Sequence, residues 1–255
     1  MHNLTFVDKP KKVDMATEWF DIANDDHFWM KRRWDVISKL LQVYIKKFSK
    51  DNLIADVGCG VGTQTSIIKK CFNSEIHGFD LDGSALAKAA RKNPNCEFFC
   101  MDLLNPKKEF SKKYDYVFVL DVIEHLDDPS KFISAIYKLL KINGIVVFNV
   151  PAFNWLYSAY DISAGHHTRY NHKTLLKEIK INEFQLLNWS YWGIPFIPLL
   201  IARKFILKKP NENTIKAGFS SHNQLLNNIL GIIGNFEIIP NHFCGTSLTM
   251  IFRKI

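Results

Sequence analysis

The chain has 255 residues, 47% hydrophobic and 23% charged, with 20 Phe, 5 Cys and a formal net charge of +8. That much apolar material builds a substantial core, which excludes a disordered chain and a small fold stapled by disulfides or metal. The positive charge admits nucleic acid, anionic lipid or an acidic small molecule as partner, and equally an ordinary basic surface.

Cys59, Cys71, Cys96, Cys100 and Cys244 are odd in number and form no C-x-x-C pair. Neither a disulfide framework nor a structural zinc is expected, and a reducing compartment is. The opening stretch MHNLTFVDKPKKVDMATEWF has no apolar run behind its charges, so it does not read as a signal peptide. A cytoplasmic protein is expected.

In chain order, residues 1–13 read as a polar arm. Trp34, Ile37, Leu40, Leu41, Tyr44, Ile45 and Phe48 then recur at helical spacing. Two helices are predicted ahead of the first strand, so residues 1–50 form an arm and a helical cap. LIADV from Leu53 is a buried strand, followed by a glycine turn and a helix through Cys71. EIHGFD, CEFFCMD, YDYVFVLD and GIVVFNV are further strands. Between them GSALAKAARK and PSKFISAIYKLLK are helices, the second ending at Asn143-Gly144. PAFNWLYSAYDISAGHHTRY reads as a loop, HKTLLKEIK as a helix, EFQLLNWSYW as a sixth strand and TSLTMIFRK as a seventh. Residues 193–240 are an insertion with two helical stretches. This alternation predicts an α/β, Rossmann-like, doubly wound seven-stranded sheet over residues 51–255, with the insertion before the last strand.

Asp56-Val57-Gly58-Cys59-Gly60-Val61-Gly62 joins the first strand to its helix. Glycines at Gly58, Gly60 and Gly62 let the backbone approach a ligand, and the helix start offers amides and partial positive charge. The third glycine falls one residue early for a dinucleotide fingerprint, and no Walker lysine follows. Asp80 ends the second strand, where a carboxylate accepts from both hydroxyls of a ribose. Asp82 reads as a helix cap. Asp102 ends the third strand, placed to accept from an adenine amino group while Met101 or Leu103 packs on the ring.

The run from Asp56 to Pro151 resembles the class I S-adenosylmethionine-dependent methyltransferases. Asp121-Val122-Ile123-Glu124-His125-Leu126 with the following Asp-Asp-Pro is similar to a segment of the ubiquinone-pathway O-methyltransferases. The resemblance implies S-adenosylmethionine as cofactor and S-adenosylhomocysteine as product. It puts Asp56, Gly58, Gly60, Gly62, Asp80, Leu81, Met101, Asp102, Leu103, Leu120 and Asp121 at the cofactor. Asp121, Glu124 and His125 are spaced to share a helical face. In some relatives such a set holds a cation. The alternative, adopted here, is that no metal is bound and His125 packs by the cofactor.

Gly165-His166-His167-Thr168-Arg169-Tyr170 follows the fifth strand, where α/β sheets place substrate. It resembles a G-H-x-R-Y stretch of methyltransferases linked to glycan and lipid-glycan assembly. His125, His166, His167, Arg169 and Tyr170 are the candidate catalytic residues, with a structural loop as the alternative. His27, Trp29 and Arg33 resemble the start of the same subgroup. Arg33 is expected on the methionine carboxylate and Trp29 over the cofactor, with a core-packing helix as the alternative. The apolar run of residues 192–209, ending in Arg203, Lys204, Lys208 and Lys209, is too short to cross a bilayer. It reads as a lid over the cleft or as a peripheral membrane contact.

The expected function is methyl transfer to a hydroxyl or carboxylate of a small, or lipid- or glycan-linked, acceptor. The alternatives are a non-catalytic S-adenosylmethionine-binding module and an RNA methyltransferase. Against the latter, no Asn/Asp-Pro-Pro-Tyr/Phe signature follows the fourth strand.

Overall fold

The computed structural model describes residues 3–11, 26–45, 49–179, 183–206 and 224–255. The earlier of the two N-terminal helices, the place of Phe48, and Lys208 and Lys209 lie outside the described residues.

The strands are β1 (Leu4–Phe6), β2 (Leu53–Val57), β3 (Glu75–Asp80), β4 (Glu97–Cys100), β5 (Tyr114–Leu120), β6 (Leu140–Pro151), β7 (Phe184–Trp192) and β8 (Ser247–Lys254). They form one sheet in the order β1-β4-β3-β2-β5-β6-β8-β7. The core from β4 to β6 is parallel, and β8 enters antiparallel between β6 and β7. The central strands are nearly continuous apolar runs because helices cover both faces. The expected seven strands are all present. An eighth, β1, comes from the arm, whose Leu4 registers on Phe98. Three residues are too few for a strand periodicity to be read, so this pairing was hidden in the sequence.

The helices are α1 (Phe28–Leu41), α2 (Thr63–Phe72), α3 (Gly83–Lys92), α4 (Pro129–Leu139), α5 (Ala159–Ala164), α6 (His172–Glu178), α7 (Ile197–Ile206) and α8 (Gln224–Asn235). Trp34, Ile37 and Leu40 of α1 share one apolar layer with Phe72 of α2 and Leu86 of α3. Phe132 and Ile136 of α4 share the other with Leu175 of α6. Asp82 caps α3, accepting from the amides of Ser84 and Ala85.

Two local readings change. The helix expected to run to Asn143-Gly144 stops at Leu139, and β6 starts at once at Leu140. Asn143 instead takes φ +65°, turning the chain before Ile145 pairs with Tyr116. The stretch expected as a loop after Pro151 contains α5. Ser158 and Asp161 form a reciprocal capping box at its start, and Gly165 closes it in the left-handed conformation.

Gly62 sets how closely α2 meets α3. It has φ +74°, and a Cβ there would lie 2.7 Å from Asn93 Nδ2 and 2.9 Å from Ala89 Cβ. Gly62→Ala is expected to cost about 2 kcal/mol or more, from left-handed strain plus this clash. Urea denaturation of the variant against the parent chain measures it.

Candidate active site

β2 and β5 are neighbours whose connections leave toward opposite ends of the sheet, so a crevice opens at their carboxyl ends. The cleft there is lined by Gly58 and Gly60 from the glycine turn, Trp29 and Arg33 from α1, and Leu120 and Asp121 from the end of β5. Gly58, Gly60 and Gly62 all have positive φ, and a Cβ on Gly58 would strike Val122 at 2.5 Å. Only glycine gives this loop both its backbone shape and its closeness to β5.

Two carboxylates hold the loop from beneath. Asp80 Oδ2 accepts from the Gly60 amide at 2.8 Å, and Oδ1 accepts from the amides of Leu81 and Asp82. Burial pushes the Asp80 carboxyl up, against these three amides. Asp56 is buried and accepts from Thr65 Oγ1 at 2.5 Å. Burial pushes it up to about 6, while the Thr65 bond and the Arg33 charge pull it back.

Arg33 lines the cleft, but its donors are engaged. Nη1 pairs with Asp121, while Nε and Nη2 reach Gln64 Oε1. That leaves Gln64 Nε2 buried without a partner among the described residues. Asp121 has φ +57° and accepts from Asn149 Nδ2 at 2.7 Å. Trp29 packs on Trp192, ring centroids 4.6 Å apart, and so walls the cleft.

The expected helical face through Asp121, Glu124 and His125 is not formed. Asp121 is left-handed, and Ile123–His125 make a 3-10 turn, which still brings all three to the cleft. Both carboxyl oxygens of Glu124 are buried without a hydrogen-bond partner among the described residues. Burial and then the neighbouring Asp121 charge drive its pKa well up. His125 Nδ1 lies 3.1 Å from the Gly165 carbonyl, which fixes its ring. Burial, then the adjacent His166, push His125 down to about 4.

α5 supplies a second buried carboxylate, Asp161. Its Oδ1 binds His166 Nδ1 at 2.9 Å and Arg169 Nε at 2.7 Å, and its Oδ2 accepts from the Ser158 amide. Burial alone would raise Asp161, but His166 and Arg169 hold it at about 2. With Nδ1–H given to Asp161, the lone pair of a neutral His166 sits on Nε2. His166 and Arg169 both line the cleft.

Several predicted site residues stand elsewhere. His167 faces outward and pairs with exposed Asp127. Tyr170 is buried in the core, its hydroxyl 3.4 Å from the Ile123 carbonyl, and burial drives its pKa up. Met101 and Leu103 are core residues, and Leu81 offers its carbonyl to the Lys11 amide. Asp102 is held by Lys11 Nζ at 2.6 Å. The arm lies over the carboxyl ends of β3 and β4 and takes contacts that the sequence assigns to adenine.

Asp161, Tyr160, Gln64 and Arg203 were missed as lining or supporting residues. For Asp161 a signal existed, since Ser-x-x-Asp is a capping pattern. Arg203, at the end of the run read as a lid or a membrane contact, is turned inward. Glu124, His125 and His166 each offer a ligand atom within 4.8 Å of one another, a set with the spacing to hold a cation.

Residues 55–146 match the family model described as "Methyltransferase domain". The chain is 27% identical over 150 residues to phosphoethanolamine N-methyltransferase 2 of Caenorhabditis elegans, covering 57% of this chain and 34% of that protein. It is 30% identical over 113 residues to malonyl-[acyl-carrier protein] O-methyltransferase 1 of Ilyobacter polytropus, covering 43% and 41%. Thus it spans less than half the length of these two curated relatives. The structure of Haemonchus contortus phosphoethanolamine N-methyltransferase 2 with S-adenosyl-L-methionine superposes at a TM-score of 0.59 and 19% identity, over 90% of this chain and 56% of that one.

His125 gives the site a pH signature. The unfolded chain takes up a proton near pH 6.5, while the folded state resists it down to about 4. The native state therefore loses stability as pH falls through that window, by roughly 2–3 kcal/mol from this group. Denaturant midpoints at pH 7.5 and 4.5 are expected to differ less in His125→Gln than in the parent chain.

Proposed function

Because the chain belongs to the class I S-adenosylmethionine-dependent methyltransferases, we propose that it methylates an oxygen of a small, or lipid- or glycan-linked, acceptor, with His166 as the base for a hydroxyl. One observation carries this reading. The Asp161–His166 pair lines the same cleft as the glycine turn, with the open ring nitrogen of His166 left for a substrate.

The site suits the cofactor. The bare backbone at Gly58 and Gly60 accepts a close ligand, and the orphaned Gln64 Nε2 is a buried donor in want of an acceptor. Arg33 holds Gln64 and Asp121 in place, which replaces the direct carboxylate contact expected of it. Trp29 and Leu120 supply apolar walls. When bound, S-adenosylmethionine supplies an electrophilic methyl group on a positively charged sulfur.

The chain's residues then have three tasks. Placement of the acceptor in line with the methyl carbon accounts for much of the rate. Trp29 lines the cleft, backed by Trp192 and Phe196, and this apolar packing excludes water. His166 Nε2 takes the proton of the acceptor hydroxyl, and Asp161 holds the ring and balances the imidazolium that forms. The relatives differ in acceptor atom, one name specifying nitrogen and another oxygen. The carboxylate-backed imidazole supports the oxygen reading, since a hydroxyl at neutral pH needs a base and an ionised carboxylate does not.

A cation at Glu124, His125 and His166 is not part of this mechanism. Burial disfavours an ionised Glu124 there, and Arg33 and Arg169 both act on that group with like charge to the cation. Turnover is expected to be unchanged after dialysis against a chelator. A loss restored by a divalent ion refutes the metal-free reading.

Calorimetry with S-adenosylhomocysteine, followed by a labelled-methyl screen of cell extract, tests the activity. His166→Ala is expected to lower turnover about a hundredfold or more while leaving S-adenosylhomocysteine affinity within a factor of about two. Unchanged turnover removes this residue from the chemistry.

A further inference from the structure

Arg203 is a cation with no ion pair among the described residues. It stands on α7, yet it is only 7% exposed and it lines the cleft. Its guanidinium lies 3.8 Å from the centroid of the Tyr160 ring. Nε and Nη1 are buried with no hydrogen-bond partner among the described residues. Burial works against the charged form and Arg169 adds to that, more than Tyr160 and Asp161 offset. A guanidinium nonetheless stays protonated in proteins. A buried, unpaired cation is costly, and an aromatic face offsets only part of that cost.

None of the acids around the cleft hydrogen-bonds these two nitrogens. Asp161 gives its oxygens to Arg169, His166 and Ser158. Asp121 serves Arg33 and Asn149. Glu124 is fully buried, and burial works against its charged form. Tyr160 is pushed up to about 12 by burial, so it presents a neutral ring. What remains is a guanidinium on a residue that lines the cleft, with two N–H groups that have no acceptor among the described residues, and a guanidinium is the group that suits a carboxylate or phosphate.

The location separates this group from the cofactor machinery. Arg203 interacts with Tyr160, Asp161 and Arg169, which follow β6 and belong to the wall that carries His166. The glycine turn instead draws on α1, α2 and the end of β5.

Resting on the methyltransferase reading above, we propose that Arg203 binds an oxyanion, carboxylate or phosphate, carried by the methyl acceptor. The substrate class is then a hydroxyl compound with an acidic group, oriented by Arg203 so that the hydroxyl meets His166.

The test uses the full chain saturated with S-adenosylhomocysteine, titrated by calorimetry with inorganic phosphate and with glutarate. At least one anion is expected to bind, and Arg203→Gln is expected to weaken it about tenfold or more while S-adenosylhomocysteine affinity holds. If the Gln variant does not fold, Arg203→Lys carries the test. It keeps the charge, loses the fork, and is expected to lose part of the anion affinity alone. Competition by phosphatidylglycerol vesicles assigns the oxyanion to a lipid headgroup. No competition assigns it to a soluble acid, and either result supports the site. The proposal is overturned if neither anion binds the parent chain, or if the variants bind it equally well. It is also overturned if S-adenosylhomocysteine affinity falls in the variants, which would give Arg203 to the cofactor's own carboxylate. Failure of S-adenosylhomocysteine to bind the parent chain is a different result: it removes the methyltransferase reading, and this proposal with it.

Discussion

A glycine turn in the left-handed conformation has no reason to persist by itself. Glycine loses more conformational freedom on ordering than any other residue, and this turn needs three. The Asp80 carboxylate supplies the restraint, reaching from the end of β3 to the Gly60 amide and to two amides of its own turn. Asp56 adds a second tie through Thr65, across the first turn of α2. Both carboxyls sit in the core, where burial raises the cost of charge. They are tolerated because donors surround them. The cradle is therefore set before any ligand arrives, and the geometry of β2, β3 and β5 is transmitted to it directly.

The opposite half of the cleft is organised by the same device with a different result. Asp161 caps its own helix and clamps His166 and Arg169. A carboxylate held at about 2 is ionised at any pH where the protein functions, so it fixes the tautomer and direction of the imidazole. His125 stands edge-on to His166, ring centroids 4.9 Å apart, and is kept neutral. Two adjacent imidazoles thus have different surroundings, since only His166 has a carboxylate behind it.

The insertion gives the cleft its remaining wall. Leu200 and Arg203 of α7 turn inward, while Leu199, Phe205 and Ile206 face out. On α8, Leu225 and Ile232 are also exposed. Among the described residues no helix is long and apolar enough to cross a membrane. A helix with apolar residues on both sides and one inward cation serves the cleft with one face whatever the other face meets.

What the sequence determined by itself was everything governed by local order along the chain. Strand runs, the spacing of Gly58, Gly60 and Gly62, the acid at the end of β3 and the Asp82 cap depend on neighbours within a few residues, and each is legible there. Even α5, read as a loop, carried its capping box in plain sight. Tertiary structure alone decided which way the polar side chains faced. His166 and His167 are adjacent, yet one points to the cleft and the other to Asp127, because Asp161 takes the first. Tyr170 went to the core, Asp102 was claimed by Lys11 from the far end of the chain, and Arg203 turned inward onto Tyr160. Those partners lie 5 to 91 residues away, and pairings at the longer separations form only once the sheet has brought their strands together.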